Sequence, residues 1–140
     1  NTKMAFTITG STAILNGLIG KGSGSLANCY MGLSTTTPTA SGTNFTEPSG
    51  TLGYARSVIG ISGQSATQVM GNPSNGSVSN TDIIFFPEAT GSWGTITHFG
   101  LFTAASGGQL IVYGALTTPI TVAANYVPLF RAGNFTLTLT

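Results

Sequence analysis

Residues 95–103 and 109–117, TITHFGLFT and QLIVYGALT, are two runs rich in β-branched and aromatic residues. The five residues between them, AASGG at 104–108, are small and include two glycines. Two such runs joined by a short glycine-containing turn are typical of an antiparallel β-hairpin. This hairpin is the centre of the predicted fold.

Shorter runs of the same kind extend outward from the hairpin in both directions. Gly, Pro, Asn and Ser clusters separate them, and Pro119 and Pro128 interrupt two of them. The predicted strands fall at 28–33, 54–61, 82–86, 120–122, 126–130 and 134–140, with shorter candidates at 66–70 and around Val78. Many short strands at turn-sized spacing predict an all-β fold: a single antiparallel, jelly-roll-like β-sandwich with long loops.

The first 26 residues are predicted to form an N-terminal arm, and residues 27–140 the sandwich domain. In FTIT at 6–9, apolar and polar residues alternate as in a β-strand. Ser11 or Thr12 can N-cap a short helix over 13–19. The small residues of KGSGS at 21–25 predict a flexible link. Two roles for the strand at 6–9 stay open. It pairs either with the sheet of a neighbouring subunit or with the sheet of its own chain.

Both faces of the hairpin are apolar, although only one of them can line the core of the sandwich. The other needs cover from the long loops or from a second subunit. The hairpin residues predicted to form this interface are Phe99, Leu101, Ile111 and Tyr113. Phe6 and Ile8 in the arm and Phe45 in the long loop at 34–53 are the other predicted interface residues.

The chain is poor in charge. Only 5% of its 140 residues are charged, and its four basic and three acidic residues give a net charge of +1. This excludes the basic patch that nucleic-acid binding needs. No apolar run approaches the length of a membrane span and no signal peptide is visible, so we expect no membrane partner. Low net charge promotes association, which predicts a homo-oligomer, with a trimer as the favoured state.

Residues that carry catalysis or bind metals are scarce. The single cysteine, Cys29, and the single histidine, His98, exclude a disulfide framework and a multi-His metal site. A Ser-His-Asp triad from His98 and Asp82 lacks the Gly-x-Ser-x-Gly elbow that would support it. We therefore expect no enzyme activity, no catalytic residue, no metal and no cofactor.

Arg56 is the cation with the clearest predicted role. A buried guanidinium needs an anionic partner, and Glu47, Asp82 and Glu88 are the only carboxylate side chains. We predict a structural ion pair for Arg56, with Glu88 as its chosen partner. Such a pair would tie down the loop at 34–53.

Three stretches together resemble a family of small virion proteins of tailed bacteriophages. They are YMGLSTTTP at 30–38, the segment from Glu47 to Arg56 that ends in GYAR, and FPEATGSWGTITHFGLF at 86–102. The resemblance covers about residues 27 to 140. The GSWGTITH run and the YAR triplet are its most specific parts. It implies a β-rich virion protein and supplies no catalytic residues.

The resemblance and the composition leave two function classes. The favoured one is a capsid decoration (cement) protein on the head surface, whose main partner is the major capsid protein. The alternative is a tail-fibre or tail-tip protein that binds the host cell surface, with a glycan as ligand. The short length and the absence of a fibrous repeat or a coiled-coil stem favour the first class.

Overall fold

The structure, a computed structural model, describes residues 3–21, 28–61 and 69–139. The predicted link at 21–25, apart from Lys21, and most of the strand candidate at 66–70 lie outside the described residues. In chain order the elements are β1 (Lys3–Phe6), α1 (Ile8–Leu18), β2 (Asn28–Ser34), a 3-10 turn (Gly50–Leu52), β3 (Ser57–Ile61), β4 (Ser77–Ser79), β5 (Ile84–Phe85), β6 (Gly94–Phe102), β7 (Leu110–Val122), β8 (Leu129–Phe130) and β9 (Thr136–Thr138).

Five strands form the main sheet, in the order β1-β7-β6-β2-β3, with every neighbouring pair antiparallel. Two ribbons of two strands each, β4 with β9 and β5 with β8, complete the strand pairing of the described chain. The predicted hairpin is the β6–β7 pair at the centre of the main sheet. Its two strands are long enough to pair with a further strand on each outer edge, and both of their faces are apolar enough to be covered by other segments.

Strand β7 contains a wide irregularity at its middle. His98 of β6 pairs with Ala115 and Ile96 pairs with Ile120, so a step of two residues on β6 corresponds to a step of five on β7. The extra residues bulge out of the ladder and include Pro119, which has no backbone N–H to donate to a partner strand. The break predicted at this proline is therefore a bulge within one continuous strand.

The core face of the main sheet carries Met31, Leu33, Phe99 and Leu101, which are cross-strand partners and almost completely buried. Phe135 packs edge-on against Phe99, with ring centroids 5.1 Å apart. Phe130 and Phe86 extend this aromatic contact toward the β5–β8 ribbon. The ribbons and their flanking segments thus form the second layer, and the prediction of an all-β sandwich is confirmed.

The N-terminal residues join this sheet. Strand β1 pairs with β7, with Phe6 opposite Val112, so the N-terminal segment pairs within its own chain. The predicted strand at 6–9 shares only Phe6 with β1 and is otherwise wrong, because α1 begins at Ile8. The Thr7 side chain caps α1 by accepting a hydrogen bond from the Gly10 N–H, and its hydroxyl donates to the Leu110 carbonyl. The predicted caps at Ser11 and Thr12 are wrong, because the helix begins one turn earlier, where the buried Thr7 hydroxyl accepts a hydrogen bond from a free N–H group of its first turn.

Candidate functional site

The other side of the main sheet, here called the loop face, carries Gly32, Gly100 and Phe102 and is covered by part of the long loop. Gly32 and Gly100 are direct cross-strand partners. A Cβ atom on Gly100 would lie 2.6 Å from the Phe45 ring, and one on Gly32 would lie 3.0 Å from a Glu47 oxygen. The two glycines therefore make the trough in which the loop packs.

Arg56 fixes the loop in this trough. Its Nε and Nη2 atoms donate to the two carboxylate oxygens of Glu47, at 2.9 and 2.7 Å. Its Nη1 atom donates to the carbonyls of Ala104 and Gly107 in the β6–β7 turn, at 2.8 and 2.7 Å. The guanidinium side chain is only 7% exposed. One buried cation thus joins the loop to the hairpin turn by four charge-assisted hydrogen bonds.

Aromatic rings complete this Arg56 cluster, which consists of Phe45, Glu47, Tyr54, Arg56 and Phe102. The Arg56 Cζ atom lies 3.5 Å from the Phe102 ring centroid, and the Phe45 ring meets Phe102 edge-on at 4.9 Å. The Tyr54 hydroxyl donates to Glu47 and accepts from the Leu33 N–H. Burial raises the pKa of Tyr54 well above its usual range, and the bond to Glu47 acts in the same direction.

The predicted partner of Arg56 was wrong. Glu88 is exposed, whereas Glu47 lies nine residues before Arg56 on the loop that folds back over the sheet. The chain reversal between them, through the 3-10 turn and the left-handed Gly53, brings the two side chains together. Sequence alone listed Glu47 as a candidate but gave no reason to prefer it.

Three of the predicted interface residues are wrong for a folded subunit. Phe99 is fully buried, Leu101 is 4% exposed and Ile111 is 8% exposed. Phe99 and Leu101 lie on the core face, and α1 covers the part of β7 that contains Ile111. The register irregularities in β6–β7 change which residues of the two strands share a face, so simple alternation matched the faces incorrectly.

The other four predicted interface residues keep part of their surface exposed. Phe6 and Phe45 are half-buried, Phe6 against the core and Phe45 against Phe102. Tyr113 is half-buried in a shallow apolar depression that it shares with His98. Ile8 is exposed on α1. A role at an interface stays a prediction for these four.

Helix α1 and its C-cap residue expose four large apolar side chains, here called the helix stripe: Ile8, Leu15, Leu18 and Ile19. These four side chains are 58 to 78% exposed, and α1 contains no charged residue. On the opposite side of the helix, a Cβ atom on Gly10 would collide with the Ile111 carbonyl, which shows how closely α1 packs on β7. No helix in the described ranges is long and apolar enough to cross a membrane.

A groove lies at the other half of β7. It has a volume of about 630 Å³, and the β7 bulge forms one wall. The segment after β7 forms the other wall, with Tyr126, Leu129 and Asn134 among its lining residues. None of the residues that line the groove is charged.

Asn80 holds the second wall of the groove in place. It is 2% exposed, and its Nδ2 atom donates to the carbonyls of Asp82, Phe130 and Arg131. Its Oδ1 atom accepts from the Phe135 N–H at 3.0 Å. Sequence analysis missed Asn80, Tyr126 and Asn134, because an asparagine in a polar stretch resembles any other loop residue until its distant partners are known.

The remaining groups with catalytic potential have ordinary local partners. The His98 Nδ1 atom is hydrogen-bonded to the Thr97 hydroxyl, and Asp82 accepts from the Ile83 N–H. Burial lowers the pKa of His98 and raises the pKa of Cys29 to about 12. Within residues 3–21, 28–61 and 69–139, no group of three or more His, Cys, Asp or Glu side chains is placed to hold a metal ion.

The GSWG stretch, the most specific part of the resemblance, has a packing role in the structure. Trp93 is buried, its Nε1 atom donates to the Leu52 carbonyl at 2.8 Å, and its ring meets Tyr54 edge-on. Trp93 therefore braces the 3-10 turn that precedes Arg56.

A family model described as podophage GP4 fiber I protein gp80 matches residues 5–138. The chain belongs to this family. No curated protein matches it.

Membership in this family makes the chain a bacteriophage virion structural protein of a fibre type, which confirms the virion resemblance. The family description supports the fibre alternative over the favoured capsid decoration. The match begins at residue 5, whereas the resemblance recognised from motifs began near residue 27. The second half of strand β1 and all of helix α1 are thus included in the family's common region, and the division at residue 26 stays a prediction.

Proposed function

We propose that this chain is a subunit of a phage tail fibre that assembles with copies of itself and contacts the host cell surface. The observation that carries the proposal is the match of a fibre-protein family to residues 5–138, nearly the whole chain. The activity is binding and assembly, with no catalytic step and no cofactor. Its partners are other virion proteins and a host-surface ligand.

The helix stripe supports self-assembly. Ile8, Leu15 and Leu18 of the stripe stand seven and three residues apart, which fits the a/d positions of helices that pack side by side, with the small polar Ser11 at the remaining position. Because the stripe has no charge, only an equally uncharged surface covers it without desolvating an ion. The same stripe on a symmetry-related copy satisfies this condition, as closed homo-oligomers require. A trimer remains the expected state.

Self-assembly through α1 leaves other surfaces free. α1 contacts β7 near Leu110 and Ile111, whereas the groove uses residues 116–121 of the same strand. The two surfaces therefore occupy different halves of β7. A fibre subunit needs this arrangement, because the contact with its neighbours must not block the contact with the host.

Labelled virions test where the protein lies. Gold-labelled antibody against the folded chain is expected at the tail fibres in electron micrographs. Label on the head surface would overturn the fibre proposal and favour capsid decoration.

Sedimentation tests the helix stripe. A Leu15→Gln/Leu18→Gln double variant keeps good helix formers in α1 and is expected to sediment as a monomer, whereas the unsubstituted chain sediments as an oligomer. Leu139→Gln is the matched control, because Leu139 is 59% exposed and lies outside α1. Identical oligomers from the double variant and the control would contradict the assembly role of the stripe.

A further inference from the structure

The groove beside the β7 bulge has the size and shape of a small-ligand site. Its volume of about 630 Å³ falls inside the range of roughly 300 to 1,000 Å³ that is usual for ligand pockets. It is open to solvent, and the bulge at Pro119 and the turn that contains Tyr126 both line it. A ligand can therefore enter it directly from water.

The polar groups of the groove are available to a ligand. Thr118, Tyr126 and Asn134 line it, and none of their side chains makes a hydrogen bond within the described part of the chain. Together they offer both donors and acceptors. Their position around one concavity differs from the loop at 36–46, where the threonine hydroxyls bond mainly to one another.

The apolar groups of the groove define the rest of the ligand. The Tyr126 ring is 45% exposed, and Leu129, Pro119 and Ile120 form the surface around it. With no charged lining residue, the groove cannot balance an ionic ligand, since desolvating an unpaired charge is costly. The matching ligand is uncharged, with an apolar face and several hydroxyl groups at its edge.

The wall formed by the segment after β7 is held at two places before any ligand arrives. The Ala89 N–H donates to the Tyr126 carbonyl, and the Asn125 N–H donates to the Ala89 carbonyl, at 2.9 and 2.7 Å. Farther along the same wall, Asn80 holds the turn that leads to Asn134. A fixed wall reduces the entropy that binding would otherwise cost.

We propose that this groove binds a neutral saccharide, with the Tyr126 ring against the apolar face of a sugar and Thr118 and Asn134 hydrogen-bonded to its hydroxyls. Sugars combine an apolar C–H face with a rim of hydroxyl groups, and tyrosine presents an apolar ring with a polar tip. The biological role of the site rests on the proposed fibre function, which places the groove where a host polysaccharide can reach it. The binding chemistry itself depends only on the groove.

Saturation-transfer NMR on the full chain tests the proposal directly. The probes are maltotriose, cellotriose and triacetylchitotriose as neutral saccharides, with sialyllactose as the acidic comparison. Transfer to at least one neutral probe is expected, with a weaker signal from sialyllactose. No transfer to any neutral probe, or equal transfer to the acidic one, would overturn the proposal.

Substitutions locate the site. Tyr126→Ala is expected to weaken binding about tenfold or more, because it removes the ring on which the sugar packs. Thr118→Val keeps the shape and removes one hydroxyl, so a smaller loss of affinity is expected. Phe85→Ala is the matched control, since Phe85 is an exposed aromatic residue outside the groove. Full binding by Tyr126→Ala with an unchanged melting temperature would place the sugar elsewhere and refute the assignment.

The two proposals fail separately. If gold label marks the fibre but Tyr126→Ala binds sugar normally, the fibre function stands and the groove assignment is lost. If the label marks the head while the groove variants lose sugar binding, the groove assignment stands and the fibre function is lost.

Discussion

The two faces of the main sheet are covered by different means. On the core face, Phe99 meets Phe135 in a dry aromatic contact contributed by the second layer of the sandwich. On the loop face, Gly32 and Gly100 leave a trough, and Arg56 clamps a loop into it through Glu47. Burying aromatic rings contributes to stability even when their packing geometry varies somewhat, whereas a buried ion pair stabilises the fold only when its two groups are in close contact. The first face therefore carries most of the stability, and the second fixes the shape of the loop.

Removing an aromatic ring from the core is expected to cause the largest loss of stability. Phe135→Ala leaves a cavity beside Phe99 and Phe130 and is expected to cost about 4 kcal/mol of unfolding free energy. Chemical denaturation measures the loss. Phe85→Ala, which truncates an exposed phenylalanine, is the control and should change stability by about 0.5 kcal/mol or less. Equal losses in the two variants would show that the described core is misplaced.

Removing the clamp on the loop face is expected to have the next largest effect. Arg56→Ala leaves Glu47 without its cation and should cost about 3 kcal/mol. Arg131→Ala removes an exposed cation and serves as the control. Combining Arg56→Ala with Glu47→Gln should cost clearly less than the sum of the two single losses, because the residues contact each other directly. Additive losses would indicate that the pair does not act as a unit.

Filling the trough is expected to have a smaller effect. Gly100→Ala places a methyl group against the rings and side chains of Phe45 and Leu110, and should cost about 2 kcal/mol. At Gly50 nothing lies within 4 Å of an added Cβ atom, so Gly50→Ala should be close to neutral. Thermal unfolding of the two variants compares them. A neutral Gly100→Ala would mean that the loop does not rest in the trough.

The smallest expected effect concerns pH. Burial lowers the pKa of His98 below its ordinary 6.5, so just below pH 6.5 the unfolded chain binds more protons at this residue than the folded one. The His98 contribution to stability is therefore complete above pH 6.5 and falls as the pH drops through the folded pKa. His98→Gln should flatten this part of the melting-temperature profile. An unchanged profile would show that His98 is as solvated when folded as when unfolded.

The strand positions could be predicted from the sequence, but the faces of the strands could not. The runs at 95–103 and 109–117 predicted β6 and β7 to within a few residues at most ends, because alternation, β-branching and a glycine turn are local signals. The helix was predicted only in part, over 13–19, because the alternation at 6–9 was interpreted as a strand although α1 begins at Ile8. The faces of β6 and β7 were not, because register shifts cannot be seen in either strand alone.

By itself the sequence determined the fold class, the virion family and the scarcity of charge, because periodicity, motifs and composition need no knowledge of neighbours. Only the tertiary structure decided that Glu47 rather than Glu88 pairs with Arg56, that Asn80 supports the groove, and that Phe99 lies in the core. Each of these depends on a contact between segments distant in the chain or on a chain reversal. Such contacts are selected by the packing of the whole chain, and local physical chemistry cannot choose among them.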